Sequence, residues 1–307
     1  MSKARAISLF AVVCATAVPV HAQPDGGAAG SAIVVTGSRP MTEDETLEAV
    51  RRVARPVDGQ LARFNERICP LVMGFDAPYE KIVANRIKAT AARIGAAMGG
   101  EGCVPNLNVV IVDDGRQFVR ELLRQYPGAL GGVSRREYRE LTEGEGAARS
   151  WSATMLTNSA GKSAGSTTTN GGGGTATSGY QGSSVSFNAA NVMRVYESST
   201  INPSVQQSIV ASWVVLETDA TFGKSLTQIA DYAAMRGLAM VRPAELGTNT
   251  ILELFEDGAE SPPPALTEFD IAYLTSLYNA PARRWARSQV RHIADAVANG
   301  QADQRRP

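Results

Sequence analysis

Apolar residues recur along this chain at two periods, one typical of helices and one typical of strands. Over residues 76–100 they return every three or four positions, which predicts an amphipathic helix. Residues 107–112 form an almost unbroken apolar run, the pattern of a buried strand. Further strands are predicted over 151–156, 185–196 and 209–217. This succession predicts an α+β fold, a single mixed domain with a small sheet flanked by helices.

Polar residues placed just ahead of apolar runs mark where the other helices begin. Ser225 and Gln228 form a capping-box pattern, which predicts a helix over 225–239. Thr267 has the position of a cap for the next helix along the chain. Helices are also predicted from about Glu45 to Arg55 and over 282–298.

The first 22 residues lack this amphipathic pattern and have the layout of a secretory signal peptide. A short basic start is followed by an apolar run and by small residues, with cleavage expected after Ala22. A membrane anchor is the alternative, but the apolar run spans about 13 residues whereas a bilayer requires about 20. We therefore expect a periplasmic or secreted protein with no membrane span after cleavage.

The rest of the chain divides by composition. Residues 23–45 are rich in small and polar residues and predict a flexible leader. The domain is expected over 46–300, with a disordered tail over 301–307. Inside the domain, residues 158–184 are almost only Gly, Ser, Thr, Asn and Ala, which predicts a mobile loop.

Charge and histidine content exclude several classes of function. The chain has 30 basic and 30 acidic residues, so no general attraction to nucleic acid is expected. Of its two histidines, only His292 would remain after signal cleavage. A zinc site with two or three histidines cannot be built from one, and a His-based triad would have to use this residue. The sequence therefore predicts no catalytic residue, no metal site and no cofactor.

Cys69 and Cys103 are the two cysteines that would remain after cleavage. An even pair in an oxidising compartment predicts a disulfide bond. In the chain-entropy description such a bond stabilises the fold by roughly 3–4 kcal/mol. Two separate buried thiols are the alternative.

Two groups of polar residues are candidates for chemistry. Asp113 and Asp114 follow a predicted buried strand, where paired carboxylates can bind a metal or act as acid and base; they can equally cap the next helix. A second set shares one face of the helix predicted over 225–239 and forms a candidate binding groove: Gln228, Asp231, Tyr232 and Arg236. The alternative is that these are capping, solvent-facing or salt-bridge residues.

Residues 266–278, with their Asp-Ile-Ala-Tyr-Leu and Leu-Tyr pattern, resemble the end of matrixin-like zinc peptidases. That resemblance places the 225–239 helix where the zinc-binding helix of the family lies. Asp231, Tyr232 and Met235 then occupy the positions of the His, Glu and His of the family motif. It implies a zincin-like scaffold without the ligands or the general base of a peptidase.

A second resemblance lies near the expected mature N-terminus. The strip Ile33, Val34, Val35, Thr36 and Gly37, followed by Ser-Arg, resembles a segment of TonB-dependent outer-membrane receptors. It implies an extended strip that can add as a strand to a partner's sheet. A strand of the protein's own sheet is the alternative.

These observations favour an exported protein with a non-catalytic binding or scaffold role in the cell envelope. Its partner would be an unidentified envelope protein or a small ligand. One alternative is a divergent hydrolase on a zincin-like scaffold that uses Asp113, Asp114 or Asp231. Another is an envelope protein that the TonB system engages through residues 33–39.

Overall fold

A small, mostly parallel sheet flanked by helices forms the fold, which confirms the predicted α+β class. The computed structural model describes residues 41–126, 129, 133–158, 203–245, 248–259, 261–281 and 283–303. The predicted signal peptide, the strip over 33–37, the loop from residue 159 onward and the strand over 185–196 lie outside these residues.

The described residues form five strands in one sheet. They are β1 (Arg63–Phe64), β2 (Pro70–Met73), β3 (Leu107–Val112), β4 (Ala148–Thr157) and β5 (Gln206–Glu217). β5 pairs with β4 along one edge, and with β3 and then β1 along the other, while β2 lies beyond β3. Only the β4–β5 pair is antiparallel.

Eight α-helices and one 3-10 helix accompany the sheet in the described part of the chain. The helices are α1 (Glu43–Val53), α2 (Ala77–Arg93), α3 (Gly115–Gln125), α4 (Arg135–Glu143), α5 (Thr218–Thr221), α6 (Leu226–Leu238), α7 (Glu268–Asn279) and α8 (Ala286–Asp303), with the 3-10 turn at Ile251–Phe255. Ser225 and Thr267 cap α6 and α7 as their sequence patterns predict. No helix among the described residues is both long and apolar enough to cross a membrane.

Several element boundaries differ from the sequence-based expectation. α1 begins at Glu43, inside the predicted leader, because Thr42 and Glu45 form a capping box. α2 ends at Arg93, about two turns before the predicted end, and Gly95 follows with a φ of +82° that suits glycine. α8 extends to Asp303, so residues 301–303 of the expected tail are helical.

Alternation along β3 divides the core between the two faces of the sheet. Leu107, Val109 and Ile111 belong to a large apolar cluster that includes residues of α1, α2, α6, α7 and α8. Val110 lies on the opposite face and belongs to a smaller cluster with residues of α3, α4, β4 and β5. Within that smaller cluster, Trp151 of β4 stacks on Trp213 of β5 with ring centroids 5.3 Å apart.

α6 is the central helix of the large cluster, since every residue from Ile229 to Leu238 is buried. Its Gly237 permits a close approach to the sheet. A Cβ atom at this position would lie 3.1 Å from the side chain of Leu107 on β3. The candidate residues on this helix are therefore held at the middle of the domain.

Candidate functional site

The four predicted groove residues on α6 each have a partner inside the fold. Gln228 closes the capping box with Ser225, and its Nε2 donates to the carbonyl of Pro263 at 3.0 Å. Asp231, Tyr232 and Arg236 are buried. A ligand-binding role for these residues stays a prediction, and the geometry shows structural contacts.

Asp231 joins three parts of the fold through its carboxylate. The guanidinium of Arg86 on α2 donates from two nitrogens, one to each oxygen of Asp231, at 2.8 Å in both cases. The backbone N–H of Leu266, just before α7, donates to the same carboxylate at 2.9 Å. The carboxylate is fully buried, so these charge-assisted bonds replace water as its hydrogen-bonding partners.

Tyr232 and Arg236 lie beside an aromatic and acidic neighbourhood. The ring of Tyr232 meets Phe255 edge-to-face with centroids 4.7 Å apart, and the Arg236 guanidinium lies 5.9 Å from the Tyr232 ring centre. Arg236 donates to the carbonyl of Val241 at 3.3 Å. Burial raises the pKa of Glu256, an effect that the positive charge of Arg236 opposes.

A second buried carboxylate, Asp270, organises the start of α7. It accepts hydrogen bonds from the Thr250 hydroxyl, from the backbone N–H of Ile251 at 2.9 Å and from the N–H and hydroxyl of Thr267. Burial raises its pKa, and the hydrogen bonds from these neighbours oppose that rise. The residue therefore ties the 3-10 turn to the first turn of α7.

Of the two aspartates after β3, Asp114 has the capping geometry that was one of their two interpretations. Asp114 is the N-cap of α3 and accepts the N–H of Gln117 at 2.8 Å. That hydrogen bond lowers the pKa of Asp114, and the nearby charge of Arg116 adds to the effect. Asp113 is exposed. Across the described residues, no three His, Cys, Asp or Glu side chains are grouped so that they could hold a metal ion.

Cys69 and Cys103 form the predicted disulfide, with their Cα atoms 6.0 Å apart. The bond joins the residue before β2 to the segment that leads into β3. It therefore closes the β2–α2–β3 unit covalently. His292 is exposed on α8, and the candidate partner strip over 33–37 lies outside the described residues.

The structure brings a different set of side chains together around a surface cavity of about 490 Å³ between α1 and α8. We call this cavity the arginine groove. Its lining consists of four arginines and six smaller or apolar residues: Arg51, Arg242, Arg287 and Arg291, with Leu47, Ala54, Pro56, Ala286, Ser288 and Val290. No aspartate or glutamate is among the described residues that line it.

Two of the four groove arginines have partners within the fold. Arg51 lies in the last turn of α1, where a cation suits the negative end of the helix dipole, and 3.8 Å from Glu48. Arg242 donates to the carbonyl of Ala54 at 2.6 Å and to that of Arg51 at 3.3 Å. It therefore satisfies carbonyl groups at the end of α1.

The other two groove arginines, Arg287 and Arg291, lie on α8. Arg287 is the second residue of α8, and a cation in a first helical turn is destabilising by about 0.3–1 kcal/mol. Arg291 follows one turn later, and like charges at this spacing repel by about 0.2–0.5 kcal/mol. In the described part of the chain neither forms an ion pair with a carboxylate.

Sequence reasoning missed this groove because its arginines are far apart along the chain and come from three elements. One signal was present. Arg283, Arg284, Arg287 and Arg291 follow one another without an acidic residue among them, at the start of a helix where acidic residues are preferred.

No family model matches the chain, and neither a curated protein nor a solved structure matches it.

Proposed function

We propose that this protein is exported to the periplasm or beyond and acts there as a non-catalytic binding protein for an anionic ligand. The observation that carries the proposal is the arginine groove. Four guanidinium-bearing residues surround one cavity whose described lining contains no carboxylate. Guanidinium groups bind carboxylates and phosphates through paired hydrogen bonds, so an anion is the ligand that such a lining favours.

Export has separate support. Residues 1–22 have the layout of a signal peptide, and the Cys69–Cys103 bond suits an oxidising compartment. To test this step, the full chain is expressed in its host, cells are fractionated, and the N-terminal residue is identified by mass spectrometry. We expect a periplasmic or secreted form that begins at Gln23. A cytoplasmic chain with an intact N-terminus would contradict the export step.

Binding is tested on the mature protein by thermal shift and calorimetry. The panel pairs anions with neutral analogues of the same shape, for example benzoate with benzamide. We expect at least one anion to bind while its neutral analogue does not, and the Arg287→Ala variant to lose that binding at least tenfold.

Arg116→Ala is the matched control. Arg116 is also an exposed arginine at the second position of a helix, α3, but it lies near Asp114 and outside the groove. We expect this variant to bind like the wild type. If all anions bind as weakly as their neutral analogues, or if both variants bind equally, the arginine groove is not the binding site.

A further inference from the structure

We infer that the ligand of the arginine groove is a phosphomonoester that carries an apolar group. This inference rests on the proposed function and specifies the chemistry of its ligand. Three properties of the groove carry it: the number of its cations, the place of Arg287 on α8, and the apolar part of its lining.

The number of cations favours a ligand with more than one negative charge. One guanidinium can hold a carboxylate through two parallel hydrogen bonds, so a single carboxylate leaves one of Arg287 and Arg291 without an anionic partner. A phosphomonoester carries a charge of about −1.5 to −2 near neutral pH and offers three acceptor oxygens. It can therefore engage Arg287 and Arg291 at once.

The position of Arg287 favours the same group. Arg287 and Ser288 lie in the first turn of α8, a helix of 18 residues, and both line the cavity. The first turn also lies at the positive end of the helix dipole. A dianion in the groove would compensate both the dipole and the side-chain charge of Arg287.

The apolar lining requires more than a bare phosphate ion. Leu47 and Ala286 are only partly buried at the cavity, and Pro56 is exposed there. A volume of about 490 Å³ lies in the range of small-molecule sites, roughly 300–1,000 Å³. Inorganic phosphate would leave this apolar surface uncovered, whereas a phosphate ester would cover it with its organic part.

Trp285 provides a local optical probe for the test. It precedes the groove residues Ala286 and Arg287, and 40 % of its surface is exposed. The other two tryptophans, Trp151 and Trp213, are buried and stacked on the opposite face of the sheet. A ligand-induced change in the fluorescence of the exposed tryptophan therefore reports on the groove.

The experiment compares three probes on the mature full chain by calorimetry and by this fluorescence. Phenyl phosphate has both the charge and the ring, benzoate has the ring with one charge, and inorganic phosphate has the charge without the ring. We expect phenyl phosphate to bind at least tenfold more tightly than either of the others. Affinity for benzoate or for inorganic phosphate within threefold of that for phenyl phosphate would overturn the inference.

Variants locate the binding. Arg287→Ala and Arg291→Ala alter exposed side chains, so both proteins should fold, and each is expected to weaken phenyl phosphate binding at least tenfold. Leu47→Ser should weaken phenyl phosphate several-fold while leaving inorganic phosphate unchanged. Arg116→Ala should change neither. Retention of phenyl phosphate affinity in both arginine variants would overturn the inference.

The same ester chemistry occurs in soluble molecules and in lipid headgroups, and vesicles distinguish the two sources. Sedimentation with phosphatidic acid vesicles that phenyl phosphate competes away supports a lipid ligand. Phenyl phosphate binding without vesicle association supports a soluble one. If benzoate binds through Arg287 but phenyl phosphate does not, the inference fails and the proposed anion-binding function stands. If no anion binds, both fail.

Discussion

The polar interior around α6 and α7 is formed by Asp231, Asp270 and their partners. It differs from the arginine groove between α1 and α8 in how its charged groups are paired. Asp231 and Asp270 are fully buried, and partners within the fold donate to both oxygens of each carboxylate. In the groove, Arg287 and Arg291 are exposed and form no ion pair with a described carboxylate. Charge that is matched internally indicates a structural role, whereas the unmatched charge around the cavity is what the proposed anionic ligand would neutralise.

This contrast predicts that the two regions respond separately to mutation. Changes in the polar interior should lower the free energy of unfolding and leave the affinity of the groove unchanged. Changes at Arg287 or Arg291 in the groove should lower affinity and leave stability unchanged or slightly improved.

The largest expected effect is on stability and comes from Asp270→Ala. The change leaves the Thr250 hydroxyl and the N–H of Ile251 buried without their acceptor, and the N–H of Thr267 partly buried without its own. Unpaired buried donors cost about 1–3 kcal/mol each, so we expect a loss of about 4 kcal/mol in urea unfolding. Asp295→Ala, at an exposed position of α8, is the control and should stay within about 0.5 kcal/mol of wild type. A loss below about 2 kcal/mol for Asp270→Ala would show that water enters this junction.

A change remote from both regions tests whether binding simply follows stability. Replacing Cys69 and Cys103 together by serine opens a covalent loop with a sequence separation of 34. The loop-entropy description predicts a loss of about 3–4 kcal/mol in unfolding free energy. Where the variant remains folded, its affinity for phenyl phosphate should match that of wild type. A parallel loss of affinity would mean that the groove depends on global stability.

A smaller loss is expected from Asp231→Asn. The amide keeps the shape of the side chain and can still accept the N–H of Leu266, but the charge that pairs with Arg86 is gone. Because Arg86 is partly exposed, water can solvate it in the variant, and we expect a loss of about 2 kcal/mol. Thermal and urea unfolding measure it. Any change in groove affinity beyond twofold would break the separation between the regions.

The smallest effect has the opposite sign. Arg287→Ala removes a cation from the first turn of α8, so stability should rise by about 0.3–1 kcal/mol at low salt. The gain should shrink in high salt because the interaction is screened. Arg116→Ala at the equivalent position of α3 should show no gain, since Asp114 lies nearby. A loss of stability in Arg287→Ala would mean that this side chain is structural.

Local sequence signals predicted several elements of this fold. Capping residues such as Ser225 and Thr267 act on the next few residues, so their helices begin where the sequence places them. The apolar run over 107–112 became a strand for the same reason. Helix ends were less predictable, because Ile94 keeps the apolar spacing of α2 although the helix has already ended at Arg93.

The same local signals could not predict contacts between residues far apart in the sequence. Arg86 and Asp231 are 145 positions apart, and the local sequence around either residue does not indicate its partner. The arginine groove likewise requires the ends of α1 and α8 to be packed together before its charges converge. The α6 residues were predicted to form a groove from their spacing on one helix, but that spacing does not distinguish a buried face from an open groove.

The central place of β5 also has a consequence for how the molecule assembles in time. β5 is the strand that joins β1, β3 and β4, yet its last residue is Glu217. A chain that emerges from its N-terminus therefore carries the β2–β3 pair with one edge unpaired until more than two-thirds of its length has appeared. Contacts so distant in sequence make folding slow, because a long loop must close before they form. Both Cys69 and Cys103 precede β5 in the chain. Their disulfide bond can therefore stabilise the β2–β3 pair before β5 is available to join it.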